Sequence, residues 1–144
     1  MLIDIVAKGG NLLLNVAPGP DGTWQQGAYD LLDAYGKWMD VNSEGIYNSK
    51  ALAPFKESNI GMTQQDDGTT YFFYLAGEGE TQIPDEIIVN SHQPATGATV
   101  TLLGSKEKLK WVKQGDGFKA TMPNSIRNQP PCEYAWTIKV SAVK

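Results

Sequence analysis

Acid–base chemistry needs carboxylates in pairs, and the chain offers three close ones: Asp66/Asp67, Glu78/Glu80 and Asp85/Glu86. For one member to hold a proton near neutral pH, an apolar wall or a neighbouring negative charge must raise its pKa. All three pairs lie in hydrophilic, turn-like stretches with no such wall, so they read as solvated turns and no catalytic residue is assigned in this chain. His92 is the only histidine and Cys132 the only cysteine. Neither has a partner at ligand spacing, which leaves His92 a loop residue and Cys132 a plain thiol. Asp66, Asp67, Asp85 and Asp116 carry the oxygen donors that calcium prefers, but their spacing fits no calcium-loop rule. There is no glycine-rich phosphate loop. No cofactor and no metal are expected.

Composition narrows the classes further. The 144 residues are 41% hydrophobic and 19% charged, enough apolar material for a core and too little charge for a disordered chain. The formal net charge of −4 argues against a nucleic-acid partner. The densest basic stretch, Lys106, Lys108, Lys110 and Lys113, has the alternate spacing of a strand's solvent side. No apolar run approaches the ~18 residues that span a membrane, and no charged segment precedes a signal-like apolar one. Met1 sits directly on Leu2-Ile3-Asp4-Ile5-Val6, which already reads as mid-helix, so the sequence is expected to be a segment of a longer chain.

The elements that would position any site fall into two groups. Residues 2–8 predict a helix stopped by Gly9-Gly10, because glycine takes the left-handed C-terminal conformation without penalty. Leu12-Leu13-Leu14-Asn15-Val16 is a short unalternating apolar run, the pattern of a strand buried on both faces. After the turn signal Pro18-Gly19-Pro20-Asp21-Gly22, a helix is predicted over 26–41, with Ala28, Leu31, Leu32, Tyr35, Trp38 and Met39 forming one apolar stripe. Gly36 interrupts it and is expected to serve close packing, and Asn42-Ser43-Glu44-Gly45 is read as the stop. Helix, strand, helix is the repeating unit of a parallel α/β sheet, whose single strand has no partner in this sequence.

Beyond Pro54 the period becomes 2. Strands are predicted over 59–64, 69–76, 86–90, 98–103, 108–114, 117–122 and 133–141, with hairpin turns at Asp66-Asp67-Gly68 and Gly115-Asp116-Gly117. Tyr71, Phe73 and Leu75 alternate with Thr70, Phe72 and Tyr74, which makes that strand apolar on both sides and central. Tyr134, Trp136, Ile138 and Val140 alternate with Ala135, Thr137 and Lys139, one clean buried face. The fold class expected is therefore mainly β: an antiparallel β-sandwich (52–144) preceded by a helix–strand–helix remnant of a (β/α) barrel (1–51).

Two segments carry a family resemblance. Leu2 to Pro18 followed by Asp21-Gly22-Thr23, and Gly36-Lys37-Trp38-Met39-Asp40-Val41-Asn42-Ser43-Glu44-Gly45-Ile46-Tyr47, closely resemble the end of the catalytic barrel in the α-L-fucosidases of glycoside hydrolase family 29. Leu102-Leu103-Gly104, Leu109, Trp111 and Tyr134-Ala135-Trp136 resemble the C-terminal sandwich of the same enzymes. Two residues depart from the family's usual pattern: Ala17 stands where glycine is common, and Trp24 where a small aliphatic residue is common.

The resemblance implies a retaining exo-α-L-fucosidase acting on fucosylated glycans, with two carboxyls about 5 Å apart. It also implies that the nucleophile, the acid/base and the main fucose-binding histidines lie upstream of Met1, so that this chain alone is inactive. Family members are usually lysosomal, secreted or periplasmic. If 12–16 is the eighth barrel strand, the loop after it lies on the catalytic face. Asp21 and Trp24 are then the candidate substrate-binding residues, at the rim of the sugar site. The competing readings are a plain turn at Asp21-Gly22 and a Trp24 that staples the chain to the next helix.

Two roles remain for the sandwich. It packs on and stabilises the barrel, or it binds glycans through exposed aromatic rings, which requires at least two such rings lining one groove. Trp111 and Trp136 share the alternation of Leu109, Ile138 and Val140 and are expected in the core. The remainder of the barrel is the expected partner. Without it, residues 1–20 are expected to pair with the sandwich, to refold or to self-associate.

Overall fold

A computed structural model describes all residues, 1–144. The first helix, α1 (Leu2–Ala7), ends where Gly9 takes φ of 81° and its N–H bonds back to the carbonyl of Val6. The second, α2 (Gln26–Ile46), runs five residues beyond its predicted stop. Eight strands follow: β1 (Lys50–Glu57), β2 (Ile60–Gln64), β3 (Thr70–Leu75), β4 (Glu86–Val89), β5 (Val100–Leu102), β6 (Lys110–Gln114), β7 (Gly117–Thr121) and, after the short α3 (Asn124–Asn128), β8 (Ala135–Val140). No helix is long and apolar enough to cross a membrane.

The strands form two antiparallel sheets, β1-β2-β3-β8-β5 and β4-β7-β6. Both predicted hairpin turns connect neighbours, β2 to β3 and β6 to β7. β3 is central in the larger sheet, as its two-sided apolar pattern predicts. Between the sheets lies the main core: Met62, Phe72, Trp136, Ile138, Val100 and Leu102 from one side, Ile87, Val89, Phe118 and Ala120 from the other. Phe72 meets Phe118 edge-on at 5.6 Å between ring centroids, a geometry aromatic quadrupoles favour.

A second core occupies the opposite face of the larger sheet. Tyr71, Phe73 and Ala135 point away from the sandwich interior and meet Ile3 of α1 and Trp38 and Ile46 of α2. The larger sheet is therefore buried on both faces. This corrects the one-faced reading of β8, in which Ala135 and Thr137 are as buried as Trp136 and Ile138. The helix layer supplies the cover that local alternation does not encode.

Three further corrections follow from tertiary contacts. Residues 12–16 form no strand, because a parallel strand gains its hydrogen bonds from neighbours on both edges and none is present. They run as irregular chain, with Leu12, Leu14 and Val16 half-buried and Leu13 86% exposed, and without pairing to the sandwich. Gly36 is open, with nothing within 4 Å of a Cβ placed there. The close-packing glycine of α2 is Gly45, where a Cβ would lie 2.8 Å from Cζ of Phe73 and 3.0 Å from Cγ of Tyr71. β1 was absent from the predicted strands; it begins at Lys50, two residues before the expected start of the sandwich, and carries a bulge between Ala51 and Lys56.

Candidate functional site

The turn before α2 holds the two rim candidates. Asp21 is exposed and its carboxylate accepts from the Thr23 hydroxyl at 2.8 Å and the Thr23 N–H at 3.1 Å. Those bonds, the hydroxyl's first, hold its pKa below the usual carboxylate value. Trp24 is 38% exposed, and its ring leans on Tyr29 in the first turns of α2, with centroids 5.4 Å apart. Each side chain thus has its own local partner, an Asx-type turn for Asp21 and a ring contact for Trp24.

The carboxylate pairs are engaged outward. Asp66 pairs with Lys50, Asp85 with Arg127 and Glu86 with Lys119. Asp67 accepts from the backbone of Thr69, which lowers its pKa, and Glu80 accepts from the Tyr74 hydroxyl and the Gly77 N–H. No group of three or more His, Cys, Asp or Glu side chains is placed to hold a metal ion. His92 is half-buried beside the Ser91 hydroxyl, and burial pushes its imidazole pKa down.

Sequence reasoning missed a buried polar network where α2 meets the larger sheet. Asn42, fully buried, donates to the Trp38 carbonyl at 3.0 Å and to Sγ of Cys132 at 3.4 Å, and accepts from the Thr137 hydroxyl at 2.6 Å. Trp38 Nε1 and the Cys132 thiol both donate to the Ala135 carbonyl. Burial, foremost, pushes the Cys132 thiol pKa up, so it stays protonated and serves as a donor rather than a nucleophile. Around this network, the Thr63 hydroxyl donates to the Gly45 carbonyl, and Glu44 takes Tyr71 OH at 2.8 Å and the Lys139 ammonium. The signal lay in Asn42-Ser43-Glu44-Gly45. Its polar residues look like a helix stop, but three of the four use tertiary partners to extend the helix.

The other half of the α2 stripe is not covered in this way. Leu31 is 48% exposed, and Leu32 and Tyr35 are only half-buried. Leu31 and Tyr35, together with Met1, Leu2, Leu75 and Tyr134, border an apolar groove of about 320 Å³, all ten of whose lining residues are hydrophobic. Ligand pockets place a few convergent polar groups in an apolar wall; this groove has no charged or amide side chain and only the hydroxyls of Tyr35 and Tyr134 beside the Trp38 indole, so it suits packing against protein better than holding a sugar. Of the sandwich's rings, Phe55 and Tyr134 are exposed, whereas the larger set that glycan stacking would draw on is withdrawn. Tyr71, Phe73 and Trp136 are buried, and Trp111 is half-buried against Phe118.

Comparison with known proteins gives this arrangement its context. The family model described as alpha-L-fucosidase matches residues 1–44, and that of the alpha-L-fucosidase C-terminal domain matches 58–141. An alpha-L-fucosidase of Branchiostoma floridae is 35% identical over 99% of the chain, and the tissue alpha-L-fucosidase of Homo sapiens is 34% identical over the same share. The chain spans only 32% and 30% of those two relatives. Among solved structures, the Thermotoga maritima alpha-fucosidase superposes with a TM-score of 0.78 at 22% identity, covering 96% of this chain and 32% of that one. Isoenzyme 1 of Paenibacillus thiaminolyticus gives 0.75 at 24% identity, covering 99% and 32%. The fold agrees with both. With the C-terminal-domain match alone covering more than half its residues, the chain belongs to the alpha-L-fucosidase family.

Proposed function

We propose that the chain is the non-catalytic C-terminal region of a retaining exo-α-L-fucosidase, with residues 1–51 completing the catalytic barrel and 52–144 forming a sandwich that packs on the barrel and stabilises it. The parent's substrates are fucosylated glycans, and its setting is secreted, periplasmic or lysosomal, as for the family it resembles. The observation that carries the reading is the divided stripe of α2. Its Trp38–Ile46 end is fixed to the sandwich, while its Leu31–Tyr35 end lies open over an apolar groove. A helix gains most of its stability by covering such a stripe, and the rest of the barrel is the cover. In the fragment alone, the same surface supports self-association. Asp21 and Trp24 stand at the rim of the sugar site in this reading, because the loop after a barrel strand faces the active site.

Leu31→Gln tests the docking half of the proposal, since glutamine has nearly the helix propensity of leucine. In the isolated chain it changes stability by less than about 0.5 kcal/mol, as for an exposed position. In the full-length enzyme it costs about 1.5–3 kcal/mol, the value of a buried leucine. Equal effects in the two contexts would remove the barrel from the groove.

A further inference from the structure

We propose that the outer face of the three-stranded sheet, along β6 and the turn before it, is a docking strip for a sulfated polysaccharide. Seven of the chain's basic side chains are held in ion pairs: Lys8, Lys37, Lys50, Lys56, Lys119, Arg127 and Lys139. Lys106, Lys108, Lys110 and Lys113 are all exposed and none has such a partner. The acidic residues of the same stretch are Glu107, occupied by the Ser125 hydroxyl at 2.7 Å, and Asp116 in the hairpin turn. The stretch is thus net positive in a chain whose formal net charge is −4.

The strand geometry aligns Lys108 and Lys110, with Lys106 in the turn before them; Lys113, opposite the buried Phe118, falls on the other side of β6 and outside the row. Leu109 and Trp111 point into the core, so Lys108, Lys110 and Val112 point outward. Two residues of strand put Lys108 and Lys110 about 7 Å apart. Across the sheet, Val112 stands opposite Lys119 and Lys119 opposite Ile88, and both aliphatic residues are exposed. A row of free ammonium groups beside a flat, partly apolar sheet suits an extended polyanion with apolar ring faces. Ammonium–sulfate contacts supply attraction through released counterions, and Val112 and Ile88 offer surface to the sugar rings. The choice of a polysaccharide over an acidic protein rests on the fucosidase reading. The strip's own loss would leave that reading intact, since it is remote in sequence from the barrel segment.

The test uses this chain with dextran sulfate, and with neutral dextran and polyglutamate as comparison polymers, binding being measured by calorimetry over a range of salt. Wild type binds dextran sulfate and not neutral dextran, with an affinity that falls as salt rises. The variant K106S/K108S/K110S loses at least tenfold, while K37S/K50S/K144S, with the same change of charge, stays within about twofold, since only the strip lysines form the row. Absence of wild-type binding overturns the proposal, as does equal loss in the two variants. Polyglutamate binding as tight as dextran sulfate would overturn it in favour of an acidic protein. Unchanged binding with aggregation of the strip variant would overturn it too, leaving the lysines as guards of an exposed strand edge.

Discussion

Two glycines in one helix make opposite predictions. A Cβ at Gly36 meets nothing within 4 Å, so Gly36→Ala brings only the helix-propensity gain, about 0.5–1 kcal/mol in favour of the folded chain. At Gly45 the same methyl would lie 2.8 Å from Phe73 Cζ and 3.0–3.1 Å from two atoms of the Tyr71 ring. Neither ring has room to yield. Both are fully buried, Phe73 lies against Trp38, and Tyr71 is tied through its hydroxyl to Glu44. Overpacking of this kind costs about 1–3 kcal/mol. Because the propensity gain is common to the two variants, the difference between them isolates the contact and should be about 1–3 kcal/mol, with Gly45→Ala the less stable. Urea denaturation of the isolated chain, followed by tryptophan fluorescence, reads this as a shift in midpoint at constant slope. Melting temperatures should separate by about 2–4 °C per kcal/mol. If Gly45→Ala gained as much as Gly36→Ala, the close seating of α2 on the larger sheet would be wrong.

Further outcomes follow from the same interface. Asn42→Ala strands the buried Thr137 hydroxyl and should cost about 2–3 kcal/mol; the double variant with Thr137→Val should cost less than the sum of the two singles, and strict additivity would argue against the network. Burial first, and then the Glu44 carboxylate, raise the Tyr71 phenol above its ordinary 10.0. Its contribution is therefore complete below pH 10 and is lost as pH rises beyond it, so Tyr71→Phe should flatten the alkaline limb of a stability–pH curve. For Glu44, burial pushes the pKa up but the bonds from Lys139 and Tyr71 outweigh it and bring it below 4.5. That contribution is present above pH 4.5 and is lost as pH falls further, and Glu44→Gln should blunt the acid limb.

The sandwich was largely legible because its signals are local. Alternation places seven strands, and Asp66-Asp67-Gly68 and Gly115-Asp116-Gly117 place two hairpins that the structure contains. β1 escaped because it has no clean alternation and holds Pro54, which an edge strand tolerates and a sequence pattern counts against. The last turn of α2 escaped because Asn42 and Gly45 are poor helix formers whose place is fixed by Thr137, Tyr71 and Phe73, all distant in sequence. Leu12–Val16 reads as a buried strand since its composition suits neighbours that these residues do not include. The candidate site divides the same way. Asp21 and Trp24 are singled out by resemblance and by the rule for loops after barrel strands, whereas the apolar groove depends on α1, α2 and Tyr134 meeting, which no single stretch encodes.

The central claim is that this chain supports a fucosidase and performs no chemistry itself. Hydrolysis of a chromogenic α-L-fucoside, measured for the isolated chain and for a full-length protein carrying it behind a complete barrel, tests that claim most directly. The account predicts turnover by the full-length protein and none by the chain alone. Turnover by the chain alone, abolished by substituting one of its own carboxylates, would contradict it.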